Sequence, residues 1–181
     1  MHSTAYTFPK KTIRDIAVHD KRILVRADFN VPVNEDGEIE SDFRITQSLP
    51  TLQYLLDRHC SVIVIAHLGR PEGRPTKKYS LAPVAKKLQE LLPDTNIEFI
   101  RSTVDDTALQ ACKHAKNGSL VLLENLRFSP GEEANDPEFA AQLQRVSGAD
   151  YFVQDGFGVV HRAHASTEAI THLLPSVSGL L

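Results

Sequence analysis

The chain has 181 residues, 41% hydrophobic and 24% charged, with a formal net charge of -3 at pH 7. That length suits one domain with a sizeable core, and the composition excludes long-range disorder. The acidic balance argues against nucleic acid as a partner, which needs a basic face, so any anion site must be local and built from a few arginines.

Residues 1–16, MHSTAYTFPKKTIRDI, lack the apolar segment of a signal peptide. The first strand-like run covers 22–26 and leads into RADFNVP. Next, VNEDGEIE reads as a tight turn, a small hairpin around Asp36 and Gly37. A helix pattern covers 45–58, with Ser41-Asp42 before it as a cap. The apolar run 62–66 follows and opens into HLGRPEGRP, and VIVIA within it is far too short to span a membrane. A helix is expected over 81–92 after Ser80, a strand over 96–100, a helix over 105–115 and a strand over 120–124 that ends in ENLRF. Asp136 with Pro137 at the first helical position starts a helix over 137–146. A strand over 151–154 runs into QDGFGVVHRAHAST, and a last helix pattern covers 168–174. The final PSVSGLL is apolar; it reads as a cut at a linker or at the start of another helix, or alternatively as a natural end docked into the core.

Most of the strand runs are nearly all apolar, as strands buried on both faces of a parallel sheet are. Alternation of such strands with helices implies an α/β three-layer domain with a mainly parallel sheet, and residues 1–181 are read as a single domain. Ligands of such sheets bind beyond the carboxyl ends of the strands. The two cysteines, Cys60 and Cys112, have no metal-ligand spacing and read as reduced thiols, which with the missing signal segment points to the cytoplasm.

Four strand runs are each followed by a polar cluster, so all four clusters should meet on one edge of the sheet. They supply Asp28 and Asn30; His67, Arg70 and Arg74; Arg127; and His161, Arg162 and His164. Convergent arginines imply a small polyanion, since guanidinium forks match phosphate and carboxylate oxygens. Arg44 falls in the first turn of its helix, where a cation opposes the helix dipole, a local rule broken as at functional sites. Each residue also has a plainer reading. Arg44 is then a solvated surface residue, Arg70 and Arg127 form strand-end salt bridges, and His67 is a hydrogen-bonded core or rim histidine. HRAH as half of a zinc site lacks a carboxylate or cysteine at ligand spacing. His114 and His172 fall in ordinary helices, and Gly156 and Gly158 permit a tight turn or a close backbone approach. The sequence contains neither GxxxxGK[ST] nor GxGxxG after a strand, so it shows an acceptor-like half without a nucleotide cradle.

Taken together, KKTIRDI, RILVRADFNVPV, FRI, VIVIAHLGRP, YSLAPVAKKL, VLLENLRF and FGVVHRAHAST resemble the phosphoglycerate kinases in order and spacing, from about Lys11 to the last residue. The resemblance implies a Rossmann-like domain with a sheet of about six strands, of which five are legible here. It implies that Asp28, Asn30, Arg44, the run His67, Leu68, Gly69 and Arg70, then Arg127, His161 and Arg162 contact 3-phosphoglycerate. Arg70, Arg127 and Arg162 would hold its phosphate, Asp28 and Asn30 its hydroxyl and carboxylate region, and Arg44 the phosphoryl group in flight, as the catalytic residue. In that family the group moves reversibly between 1,3-bisphosphoglycerate and Mg-ADP, a glycolytic step. Mg-ATP or Mg-ADP would bind a C-terminal nucleotide-binding domain that lies outside this chain, joined to it in cis, in a monomeric enzyme; no cofactor or metal is expected here. The isolated chain is therefore expected to bind substrate without completing transfer. Rival readings are a stand-alone anion-binding module and an interaction protein that keeps the fold but has lost activity. QDGFGVV departs from the family's NDAFGTA pattern at Gln154, Gly156, Val159 and Val160, with an altered local backbone or hinge as the expected consequence.

Overall fold

Six parallel strands form one sheet in the computed structural model, which describes residues 10–181. The expectation drawn from residues 1–16 therefore lies mostly outside the described residues. The strands are β1 (Arg22–Ala27), β2 (Ser61–Ile65), β3 (Ile97–Ile100), β4 (Leu120–Leu123), β5 (Tyr151–Asp155) and β6 (Ser176–Ser178). They lie in the order β3-β4-β2-β1-β5-β6, with helices α1 (Phe43–Leu56), α2 (Ala82–Leu91), α3 (Asp106–His114), α4 (Pro130–Glu133) and α5 (Pro137–Ser147) as outer layers.

Alternate residues of each strand feed two separate cores. Ile23, Val25 and Ala27 join Val62, Val64, Leu120, Leu122 and Val153 against α1 and α2. Leu24 joins Ile63, Ile65, Val121, Leu123 and Phe152 against α3 and α5. Burial on both faces explains why these runs lack an apolar-polar alternation. From β1 the chain crosses to β2 on one side, while β5 leads to β6 on the other. The topological switch thus lies between β1 and β5, at the edge where the four polar clusters were expected.

At the local level some expectations hold and others do not. The hairpin forms around one antiparallel bridge, Val33 with Ile39. Asp42 occupies the cap position of α1 without a side-chain cap bond; Ser41 Oγ stands 3.5 Å from Phe43 N instead. The expected helix over 168–174 shrinks to a 3-10 turn, Ala169–His172, because Pro175 stops it and no side chain caps it. The sixth strand follows at once, a Ser-Val-Ser segment too short to carry a period. Cys60 and Cys112 are free and buried, and burial raises both thiols to about 11. No helix among the described residues is long and apolar enough to cross a membrane.

Asp155 at the end of β5 holds the segment after β6. Its Oδ1 accepts from Thr51 Oγ1 of α1 (2.6 Å) and from the backbone N–H groups of Leu180 (3.1 Å) and Leu181 (3.2 Å), while its Oδ2 is buried without a partner among the described residues. Burial pushes this carboxyl up to about 6 against the lowering effect of those bonds. Because that value exceeds the unfolded value of about 3.9, the group adds stability in acid that is lost as pH rises through about 6. Asp155→Asn should therefore gain on the wild type by on the order of 1 kcal/mol from pH 5 to pH 8. Urea unfolding of both proteins at the two pH values checks this, and a difference that does not change with pH contradicts it.

Candidate functional site

All strands being parallel, their carboxyl ends deliver four loops to one rim: β1 runs into Asp28–Asn30, β2 into His67–Arg74, β4 into Glu124–Arg127, and β5 into Gly156–His164. The alternation that fills the two cores also sets which way the polar residues face. Arg26 follows Leu24 by two on β1, and His67 follows Ile65 by two just past the end of the neighbouring β2, so both belong to the α3–α5 side.

There Arg26 is wholly buried. Its Nε donates to Ser166 Oγ (2.7 Å), one terminal nitrogen to the carbonyl of Ala27 (2.6 Å), and the other lies 2.9 Å from His67 Nδ1. Ser166 passes the link to Glu132 of α4, donating from Oγ (2.6 Å) and from its backbone N (3.1 Å). The Arg26 and Glu132 charges stand 4.0 Å apart with neither side chain exposed. Burial lowers Arg26, with Glu132 and Asp28 opposing. His67 is pushed down to about 2 by burial first and then by Arg26, Arg127 and Arg162. His164, 3.8 Å from Glu132, is lowered by burial against the pull of that carboxylate.

Above this floor a second set of bonds joins the loops. Asn30 Oδ1 accepts from Gly69 N (2.9 Å), and the Gly69 carbonyl accepts from Arg127 (2.8 Å). Gly69 must be glycine, since its φ is +62° and a Cβ would lie 2.3 Å from the Tyr79 ring. Asn125 holds the turn that presents Arg127: it accepts from Arg127 N (3.0 Å) and donates to the carbonyls of Leu68 (2.7 Å) and Tyr79 (2.9 Å). Arg127 is buried, and burial lowers it while Glu133 opposes. One terminal nitrogen lies 3.1 Å from Glu133, yet neither it nor Nε makes a hydrogen bond among the described residues. The distance alone makes an ion pair; the missing alignment leaves two guanidinium nitrogens unserved.

Arg44, in the first turn of α1, pairs with the buried carboxylate of Asp28. Gly158 lies against this pair, where a Cβ would stand 2.5 Å from Asp28 Oδ2 and 3.0 Å from Arg44. The pair borders a cavity of about 470 Å³ that is also lined by Phe43, Gln47, Phe157 and Leu181. Phe43 and Phe157 are 65% and 74% exposed. A larger cavity, about 760 Å³, lies beyond β3 and β4 between Lys77, Arg101 and Glu124. Convergence of cations, rather than volume, locates the site at the first rim.

The structure brings Asp28, Asn30, His67, Gly69, Arg70, Arg127, His161 and Arg162 to that rim. Arg70 is exposed and Arg162 half-buried, and among the described residues neither side chain has a hydrogen bond or ion pair. Both stand near enough to lower Arg127. Leu68 differs: its side chain is buried in the α1–α2 core. His161 is exposed. Gln154 Oε1 accepts from Gly156 N (3.0 Å), so the atypical QDG segment closes on itself as a small turn. Arg26, Glu132 and Ser166 escaped the sequence reading. An arginine among the apolar residues of RILVRA was the available signal, whereas its partners lie 106 and 140 positions away with nothing local to mark them.

Comparison with known proteins bears on what this rim does. The sequence model of the phosphoglycerate kinase family matches residues 13–181. The phosphoglycerate kinase of Chloroflexus aggregans is 50% identical over 173 residues, 95% of this chain and 43% of that protein. That of Chlorobium phaeovibrioides is 48% identical over 173 residues, with the same coverage of 95% and 43%. Among solved structures, phosphoglycerate kinase from Coxiella burnetii matches with a TM-score of 0.80 at 35% identity, over 94% of this chain and 41% of that one. The Pyrococcus horikoshii enzyme matches at 0.83 and 32%, over 94% and 42%. The chain thus spans less than half the length of the relatives it matches.

The buried pair makes a testable demand on stability. Glu132→Leu strands the Arg26 charge and should cost about 3–5 kcal/mol. Adding Arg26→Met should recover most of that loss, because an apolar pair needs no counter-charge. Denaturant unfolding of both variants measures the difference; a double variant no more stable than the single one contradicts it.

Proposed function

The chain belongs to the phosphoglycerate kinase family, and on that premise we propose that it binds 3-phosphoglycerate as the substrate half of the enzyme. One observation carries this reading: three arginines from three different loops meet at one rim with guanidinium groups unserved. Arg70 and Arg162 have no partner among the described residues, and Arg127 is buried with two nitrogens unbonded. Such a cluster repels itself until an anion enters, and a phosphate offers oxygens that match the forks.

In this reading the phosphate sits among Arg70, Arg127 and Arg162. Asn30 is fixed by Gly69, and with Asp28 it faces the hydroxyl and carboxylate end; His67 and the backbone at Gly69 close the floor, and His161 stands at the edge. Arg44 begins paired with Asp28, within reach of the substrate carboxylate. In the forward reaction the acyl phosphate bond breaks, its electron pair returns to the carboxylate oxygen, and an oxygen of the ADP terminal phosphate takes the phosphoryl group. Arg44 then offers its charge where negative charge spreads over the moving oxygens. The magnesium nucleotide is a second substrate. The chain spans 43% of the length of the Chloroflexus aggregans relative, and we place that nucleotide on the part of the enzyme beyond this domain. The setting is a monomeric glycolytic enzyme of the cytoplasm, with residues 1–181 as its N-terminal domain.

Calorimetry tests the binding half directly. The chain should bind 3-phosphoglycerate saturably, more weakly as salt is added, since charge-assisted contacts at an open rim are screened. Arg127→Ala should weaken binding by about tenfold or more, the worth of one charge-assisted contact, whereas Arg74→Ala should change it by less than about twofold, as a surface cation. Mg-ATP binding tighter than 3-phosphoglycerate binding refutes the assignment.

Arg44 is tested in a two-domain enzyme that carries this half. Arg44→Ala should lower kcat by roughly a hundredfold and raise KM for 3-phosphoglycerate only modestly, the mark of a contact made mainly in the transition state. A kcat within about twofold of wild type, under roughly 0.5 kcal/mol in barrier, removes Arg44 from the chemistry.

A further inference from the structure

His67 looks like a residue whose charge should change near neutral pH, yet its surroundings forbid that. A neutral imidazole carries its proton on one nitrogen and a lone pair on the other, and its neighbours decide which. The neighbour here is Arg26, whose guanidinium has donors only and keeps its proton. Its terminal nitrogen lies 2.9 Å from His67 Nδ1, so Nδ1 must accept. The other two nitrogens of Arg26 are each bonded elsewhere, Nε to Ser166 and the second terminal nitrogen to Ala27, and Ser166 is itself held twice by Glu132. The guanidinium therefore cannot turn away.

We propose that Arg26 is a positioning residue that locks His67 in the neutral tautomer with the proton on Nε2. His67 then presents a fixed N–H donor at the floor of the rim without adding a further positive charge to it. The groups that face His67 act in the same direction. Arg127 from the turn after β4, and Arg162 and His164 from the segment after β5, all disfavour a cationic ring, as burial does. The carboxylates of this region are themselves engaged: Glu132 of α4 by Arg26 through Ser166 and by His164, Glu133 by Arg127, and Asp28 by Arg44. The consequence is a division of labour. Arginines supply charge to the bound anion, and His67 supplies a directed hydrogen bond that does not titrate over the working range of pH. The identity of that anion rests on the substrate reading above; the tautomer does not.

Nitrogen-15 spectra of the imidazole rings in the labelled full chain test this, with the His67 signals identified by their loss in His67→Gln. The wild-type ring should show the Nε2–H pattern with constant shifts from pH 5 to pH 8, with and without 3-phosphoglycerate. In Arg26→Met the same ring should either titrate within that range or become a mixture of tautomers. A wild-type ring protonated on Nδ1, or one that titrates between pH 5 and pH 8, overturns the proposal. So does an Arg26→Met ring that behaves as in the wild type. The wild-type spectrum decides the matter even if Arg26→Met does not fold. Loss of 3-phosphoglycerate binding with the Nε2–H pattern intact would refute the substrate reading alone.

Discussion

A guanidinium wholly removed from water at the end of β1 is the feature around which the rim is arranged. Desolvating such a charge costs several kcal/mol, and a counter-charge 4.0 Å away returns a similar amount at an effective dielectric near 20, roughly 4 kcal/mol. The Arg26–Glu132 pair is therefore no large source of net stability. What it contributes is position, because removal of any one member leaves the others buried and unserved. Through it the end of β1, the turn before α5, the segment around Ser166 and the ring of His67 are held in one arrangement.

On that floor the chain assembles cations against its own acidic balance. Each is handled differently. Arg44 is neutralised by Asp28, and Arg127 is partly offset by Glu133 and bolted to Gly69. Arg70 and Arg162 are left with neither bonds nor counter-charges among the described residues. The buried arginine is already ordered and loses little side-chain entropy when an anion arrives, whereas the exposed one must be immobilised. A rigid centre with a more mobile rim is the expected result. The short tether between Asn30, Gly69 and Arg127 fixes the centre.

Helix α1 connects this rim to the segment after β6. Arg44 and Thr51 are seven residues apart on it, two turns, and so share a face. Thr51 is bonded to Asp155, which also holds the backbone at Leu180 and Leu181. Gly179 allows that approach, since a Cβ there would stand 1.9 Å from Asp155 Oδ1. The position of Arg44 over Asp28 therefore depends on the same clasp that seats the segment after β6.

Much of this was legible in the order of residues. Apolar runs of β-branched residues separated by helical patterns determined the parallel α/β class, and parallel strands necessarily send their following loops to one edge. That alone placed Asp28, Asn30, His67, Arg70, Arg127 and Arg162 together. The sequence also marked Arg44 by its conflict with the helix dipole, and it read the two cysteines as reduced thiols. It could not show β6, because three residues carry no period, nor the collapse of 168–174 to a 3-10 turn, which the following proline and the missing cap decide. Above all it could not show the Arg26–Ser166–Glu132 link, whose members belong to different elements. Local propensity and periodicity report on neighbours a few positions apart, whereas a buried charge is satisfied by whatever the packed layers bring within reach. Only the tertiary structure could decide that a strand arginine faces inward, and that its proton donor sets the state of His67.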